Sequence, residues 1–161
     1  MTNRSPAIAP EQLKRARPPG LVRRLATMLY DLMLLFGVLV VAAALFYTPF
    51  HLSGSETIAG PARLAFQVYL LAVIVLYYWY FWTSGRQTLG MRAWRIRLVR
   101  QDGADLSGTD ALRRLGFGAV TLAPLGIGLL WMLFDPNRLT WYDRLSGTRP
   151  VLIAQSKRKL G

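Results

Sequence analysis

The sequence predicts an all-α membrane protein of three apolar helical segments, with a small cytosolic strand or loop element between the second and the third. Three observations carry that expectation. Near-continuous apolar runs occupy about 25–47, 64–83 and 115–134 of the 161 residues. At about 1.5 Å per helical residue each reaches about 30 Å, the thickness of a hydrocarbon core. Hydrophobic residues make up 53 % of the chain and mean hydropathy is +0.28, which with three such runs places the core in lipid. The basic residues avoid the runs altogether: 6 precede the first, 1 lies between the first and second, 7 between the second and third, and 6 follow the third. The positive-inside rule and attraction to anionic headgroups produce that distribution. A net charge of +12 taken alone would suggest nucleic acid. Its placement argues for a bilayer with anionic headgroups instead, and no nucleic-acid partner is expected.

Residues 1–20 scatter Pro6, Pro10, Pro18 and Pro19 among Arg4, Lys14, Arg15 and Arg17 without an apolar period, which reads as a disordered basic cytosolic tail. The membrane domain is expected over 21–154 and a second basic tail over 155–161. Within Leu25 to Tyr47 the residues outside the hydrophobic set are Thr27, Asp31 and Gly37, so Asp31 carries the lone charge of any apolar run. At 23 residues, that run is too long for the apolar region of a cleavable signal peptide and is expected to remain as an anchor. Asp31 follows Arg24 by seven residues, nearly two turns, so both side chains emerge on one face, and the aspartate leans back toward Thr27 and Arg24. A carboxylate at the bilayer centre costs about 2.5–3.5 kcal/mol. Two readings are open for it: a structural pin held by positive neighbours at the inner rim, or a titrating, ion-binding group in a transport path.

Thr48 to Arg63 is punctuated by Pro, Gly and Ser, holds the single histidine, His51, and reads as the external loop. The second run ends in Tyr77-Tyr78-Trp79-Tyr80-Phe81-Trp82, a cluster that fits the aromatic belt at a membrane interface. After it, Trp94, Ile96 and Leu98 alternate with Arg95 and Arg97, the period of a strand. A flat basic segment on the headgroups is the alternative for Met91 to Val99. Asp102-Gly103 marks a turn, and Ser107 with Asp110 marks a helix start. The third run poses a topological conflict. Three crossings from a cytosolic N-terminus would place residues 135–161 outside, yet they hold 6 basic residues and 2 acidic ones. A break at Ala123-Pro124, with two half-helices that enter and return, keeps every basic segment cytosolic. Both forms stay open. Pro150 to Ile153 reads as a short strand.

Without cysteine, thiol chemistry and cysteine-ligated metals are excluded, and one histidine builds no zinc site. No cofactor and no metal are expected. Neither a Ser-His-Asp arrangement nor a phosphate-binding loop is present, so the chain does not read as an enzyme.

Three pieces resemble the RDD family of small bacterial membrane proteins: Arg24 with Asp31, Gly85-Arg86-Gln87-Thr88-Leu89-Gly90-Met91, and Thr140-Trp141-Tyr142-Asp143-Arg144-Leu145-Ser146-Gly147-Thr148. The family is named for one arginine and two aspartates, which fall here on Arg24, Asp31 and Asp143. Tyr142 stands where members often have histidine. The resemblance implies an integral inner-membrane protein, with transport of ions or small solutes suggested for some members. The expected charge network is Arg24, Asp31, Asp143 and Arg144, and Tyr77, Tyr78, Trp79, Tyr80 and Trp82 are the expected interfacial anchors. Asp143 beside Arg144 could form a surface ion pair, or, packed under the helices, meet Arg24. Two functions follow: a component of ion or small-solute transport with Asp31 as its ionisable site, or a non-catalytic scaffold whose Arg/Asp triad is structural. Three apolar segments enclose little, so a homo-oligomer or a membrane partner protein is expected.

Overall fold

Leu, Ala and Met, which lose little side-chain freedom in a helix, dominate the first apolar run, and it forms one long helix, α1, over Leu21–Leu52. The computed structural model describes residues 8, 13, 16–52, 60–122 and 127–153. Helix α1 begins straight after Pro18-Pro19-Gly20, with the Arg24 amide donating to the Gly20 carbonyl at 3.1 Å. It runs five residues beyond the expected end at Tyr47, with the Thr48 hydroxyl donating to the Ala44 carbonyl at 2.7 Å and Pro49 inside the helix. His51 therefore lies in the last helical turn. Residues 53–59 of the expected external loop lie outside the described residues. Helix α2, Pro61–Trp82, opens on a proline whose missing amide would have no helical partner anyway.

Rings join the far end of this pair: Phe46 and Tyr47 each meet Phe66 at 5.2 Å between centroids, and Phe46 meets Tyr69 at 5.4 Å. The end of α1 thus packs on the start of α2, and the two form an antiparallel hairpin. Mean hydropathy reaches 2.4 in α1 and 1.8 in α2, yet only 17 % of the most apolar stretch of α1 and none of that of α2 is buried against protein. A core helix of a water-soluble protein would hide these faces. Here Leu29, Met33, Phe36, Val40 and Leu45 of α1 and Leu64, Val68, Leu71 and Leu76 of α2 point outward. Both helices are long and apolar enough to cross a membrane.

The remaining elements gather at the opposite end of the hairpin, around the start of α1. They are the short helix α3, Leu89–Ala93; strand β1, Ile96–Arg100; α4, Gly108–Leu122; α5, Ile127–Leu130, continued by a single tight turn over Trp131–Leu133; α6, Trp141–Leu145; and β2, Thr148–Leu152. The period-two reading of Ile96 and Leu98 is realised as β1, which pairs antiparallel with β2 in the register Ile96 with Leu152, Leu98 with Pro150 and Arg100 with Thr148. The start of α4 is sealed as a capping box: the Ser107 hydroxyl accepts from the Asp110 amide at 3.3 Å and the Asp110 carboxylate accepts from the Ser107 amide at 3.0 Å.

The two faces of this small sheet explain a correction. Ile96 and Leu98 pack with Met91, Leu106 and Trp82 under the hairpin, which leaves Val99 and Val151 on the other face. Leu13, with Ile8 and Ala16, covers them. The Arg149 guanidinium grips the Leu13 carbonyl at 2.5 Å, and the Leu152 amide donates to the Arg17 carbonyl at 3.2 Å. Where it is described, the segment expected to be a disordered tail is docked, because two buried valines need a lid.

Of the two forms open for the third apolar run, the single crossing is the one corrected. Among the described residues it forms no third long apolar helix. Its first half completes α4, its second half is α5 and the tight turn, and residues 123–126, including the expected break at Pro124, lie outside the described residues. A Cβ added to Gly128 would fall 2.7 Å from the Thr121 carbonyl oxygen. Seven residues of unbroken helix would separate those positions by about 10 Å. The chain therefore folds back on α4.

Trimming the lid exposes the sheet. Leu13→Ala is expected to lower the unfolding free energy in detergent by about 2 kcal/mol, whereas Val22→Ala, at a site 76 % exposed, should change it by under about 0.5 kcal/mol. Equal melting midpoints for the two variants would contradict the docking of Leu13.

Candidate functional site

Helix α6 is capped by Thr140, whose hydroxyl accepts from the Asp143 amide at 3.2 Å while the Asp143 carboxylate accepts from the Thr140 amide at 3.1 Å. That reciprocal cap fixes the Asp143 carboxylate at the helix start, fully buried. Two guanidiniums converge on it. Arg24 Nη1 donates to Asp143 Oδ2 at 2.5 Å, and Arg114 Nη1 stands 2.7 Å from Oδ1. The two contacts differ in kind: Oδ1 accepts no well-aligned hydrogen bond, and the bond that Arg114 Nη1 does make goes to the Thr148 hydroxyl at 2.6 Å. Arg24 is used on every nitrogen, Nε reaching the Pro19 carbonyl at 3.4 Å and Nη2 the Arg138 carbonyl at 2.8 Å. The Arg114 guanidinium also lies 4.9 Å above the Tyr142 ring and 5.5 Å from that of Trp82. Burial drives the Asp143 carboxyl upward, but Arg114 and Arg24 outweigh it and hold it below the usual carboxylate range. Burial and the charge of Asp143 push the Tyr142 hydroxyl up, so the residue standing where members often have histidine remains a neutral phenol.

Asp31 belongs to a separate cradle. Its Oδ2 accepts from the Thr88 hydroxyl at 2.7 Å and its Oδ1 from the Gly90 amide at 3.0 Å. Thr88 also caps α3 by accepting from the Met91 amide at 3.1 Å, so its proton is free for the aspartate. Gly90 has to be glycine, since a Cβ there would lie 2.6 Å from Asp31 Oδ1 and 2.7 Å from the Thr27 carbonyl oxygen. Gly85 combines a φ of +73° with a Cβ position 2.6 Å from Arg97 Nη2. Gln87 holds the Ile96 carbonyl at 2.6 Å, and Arg86 covers the Tyr80 ring at 4.2 Å. The Gly85-to-Met91 stretch is therefore a clamp that delivers neutral donors to the carboxylate in the span.

These placements revise the expected network. Arg24 and Asp143 meet, 119 positions apart in sequence. Asp31 does not pair with Arg24: a shared face is not a shared level, and seven residues separate them by about 10 Å along the helix axis. Arg144 turns away from Asp143 and bonds Asp135 on the neighbouring loop. Arg114 was missed by sequence reasoning, because beside Arg113 at the start of an amphipathic helix it looks like any solvated arginine. The aromatic cluster divides. Trp79 and Tyr80 are exposed, at 39 % and 50 %, as interfacial anchors would be, and Tyr77 stacks within the helix on Tyr78 and Phe81. Tyr78 and Trp82 instead face a cleft of about 370 Å³ between α1, α2, α4 and the sheet, whose wall also includes Met28, Asp31, Met91 and Arg114.

Two outcomes check this geometry. Gly90→Ala is expected to destabilise the fold by about 2 kcal/mol or more, through steric overlap with Asp31, read as a lower melting midpoint in detergent. Asp143 contributes stability that is complete above the ordinary carboxylate range and is lost as pH falls through its depressed folded value. Acid titration of the wild type should therefore show a steep loss of stability that Asp143→Asn lacks, the variant being weaker at neutral pH. Parallel acid profiles would contradict the buried charge.

No curated protein and no solved structure matches the chain. The RDD family model matches residues 18–147, a span that takes in Arg24, Asp31, the Gly85-to-Met91 clamp and Asp143. With most of its length matched and the arginine and both aspartates in place, the chain belongs to the RDD family.

Proposed function

We propose that the protein is a multi-pass inner-membrane component of ion or small-solute transport, with its Arg24 end on the cytosolic side and Asp31 as the ionisable group of the solute site. The observation that carries this is the setting of Asp31. It lines the cleft, and among the described residues no cation pairs with it. A carboxylate has about four lone-pair positions, and Thr88 and Gly90 use two. The remainder suit a proton or a cationic group entering from the cleft. Orientation follows from charge: the stretch 48–63 between the helices holds Arg63 alone, whereas residues 1–24 and 84–161 hold the other 19 basic residues, the side the positive-inside rule assigns to the cytosol. A two-helix hairpin encloses no conduit, so the working unit is a homo-oligomer or a complex with a membrane partner.

The scaffold reading has its own support. Arg24 bonds Asp143 and two neighbouring carbonyls and Arg114 stands against the same carboxylate, as in a purely structural cluster, and the exposed basic surface suits a partner or anionic lipid.

Asp31→Asn separates the two. The amide keeps an oxygen for the Gly90 amide and offers its NH2 to Thr88, so the fold is retained, as gel filtration in detergent should confirm. In proteoliposomes with an imposed gradient, proton and monovalent-cation flux through the wild type is expected to fall to background in the variant. Flux that survives the substitution would contradict the transport reading, and absence of flux from both proteins would favour the scaffold.

A further inference from the structure

The corner formed by α5, the tight turn after it and α6 carries an apolar surface that neither the hairpin nor the sheet uses. Phe134 is 81 % exposed and Leu133 60 %, with Leu145 at 57 % beside the paired rings of Trp131 and Trp141, 5.5 Å apart. Its inner side fixes its level on the hairpin. Leu129, Met132 and Tyr142 pack against Leu21 and Met28 of α1, so the corner sits beside the first two turns of the first membrane-crossing helix. Around it, Arg23, Arg138 and Arg144 are exposed. Tryptophans beside arginines, at the depth where an apolar helix leaves the membrane, are the composition of an interfacial anchor.

We infer that this corner inserts its apolar face into the cytosolic leaflet, as a third membrane contact that does not cross, with the arginine rim on anionic headgroups. The inference rests on the reading of α1 and α2 as membrane-crossing helices. Two features select lipid as the occupant: the corner continues the outward apolar face of α1, where Val22, Leu25 and Leu29 are exposed, and its rim is positive where the inner leaflet is negative. It also accounts for the back-folded third run, whose apolar residues enter the leaflet from one side and return to it, so that α6 can bring Asp143 back to Arg24.

A chain without cysteine can be labelled one site at a time. Phe134→Cys, Leu133→Cys, Asn137→Cys and Phe36→Cys, each carrying a nitroxide, would be reconstituted as the full chain in vesicles of phosphatidylglycerol and phosphatidylethanolamine. Accessibility to oxygen and to a water-soluble nickel chelate is then compared. Labels at 133 and 134 should favour oxygen over nickel, with the ratio reversed at 137. A label at 134 as open to nickel as that at 137 would overturn the inference. So would one shielded from both reagents, which would mark contact with protein. The label at 36, midway along α1, separates the two failures. Oxygen preference there with nickel preference at 134 sinks the corner alone, and nickel preference at 36 sinks the crossing itself.

Discussion

The structure depends on one buried carboxylate held between two guanidiniums. Asp143, wholly inaccessible, meets Arg24 from the start of the first apolar helix and Arg114 from α4. Taking such ions out of water costs several kcal/mol each, recovered only when geometry and further hydrogen bonds are good. Arg24 meets that condition with three acceptors. Such a cluster adds little net stability over well-packed apolar residues, but it admits few arrangements. Its consequence is positional: a segment more than a hundred residues downstream is brought to the foot of α1. The cap, the sheet and the back-folded third run all take their places from that return.

Asp31 shows a different solution to the same problem. Sited in the apolar helix, it recruits no cation among the described residues, and its two oxygens take neutral donors from Thr88 and Gly90. Neutral donors stabilise the carboxylate without neutralising it. Arg24, Arg114 and Asp143 leave one positive charge in excess, and Asp31 lines the same cleft as both arginines.

Much of this was legible in the chain. Apolar runs of sufficient length, with Asp31 the one charge inside them, identified both long helices, and alternation of Ile96 and Leu98 with arginines identified β1. Thr48 and Pro49 hid the last turn of α1, since neither favours helix and the side-chain bond to Ala44 leaves no trace in composition. Leu13 was hidden because a lone leucine in a basic, proline-rich tail has no period; only the valine-bearing second face of the sheet explains it. Within the site, Arg24 with Asp143 was suggested only by packing the C-terminal strip under the helices and by family resemblance, because no spacing rule links positions so far apart. The donors to Asp31 were missed for a related reason. A backbone amide has no signature in sequence, and Gly90 betrays it only once the Cβ it lacks is seen to collide with the carboxylate.

The central claim is that Arg24 and Asp143 are directly coupled across the hairpin foot. A double-mutant cycle with Arg24→Met and Asp143→Asn, read as unfolding free energy in detergent, measures that coupling directly. Contact at 2.5 Å between buried side chains predicts a coupling energy of about 2 kcal/mol or more, with the double variant far less impaired than the two single losses combined. Additive losses, with coupling below about 0.5 kcal/mol, would contradict the account.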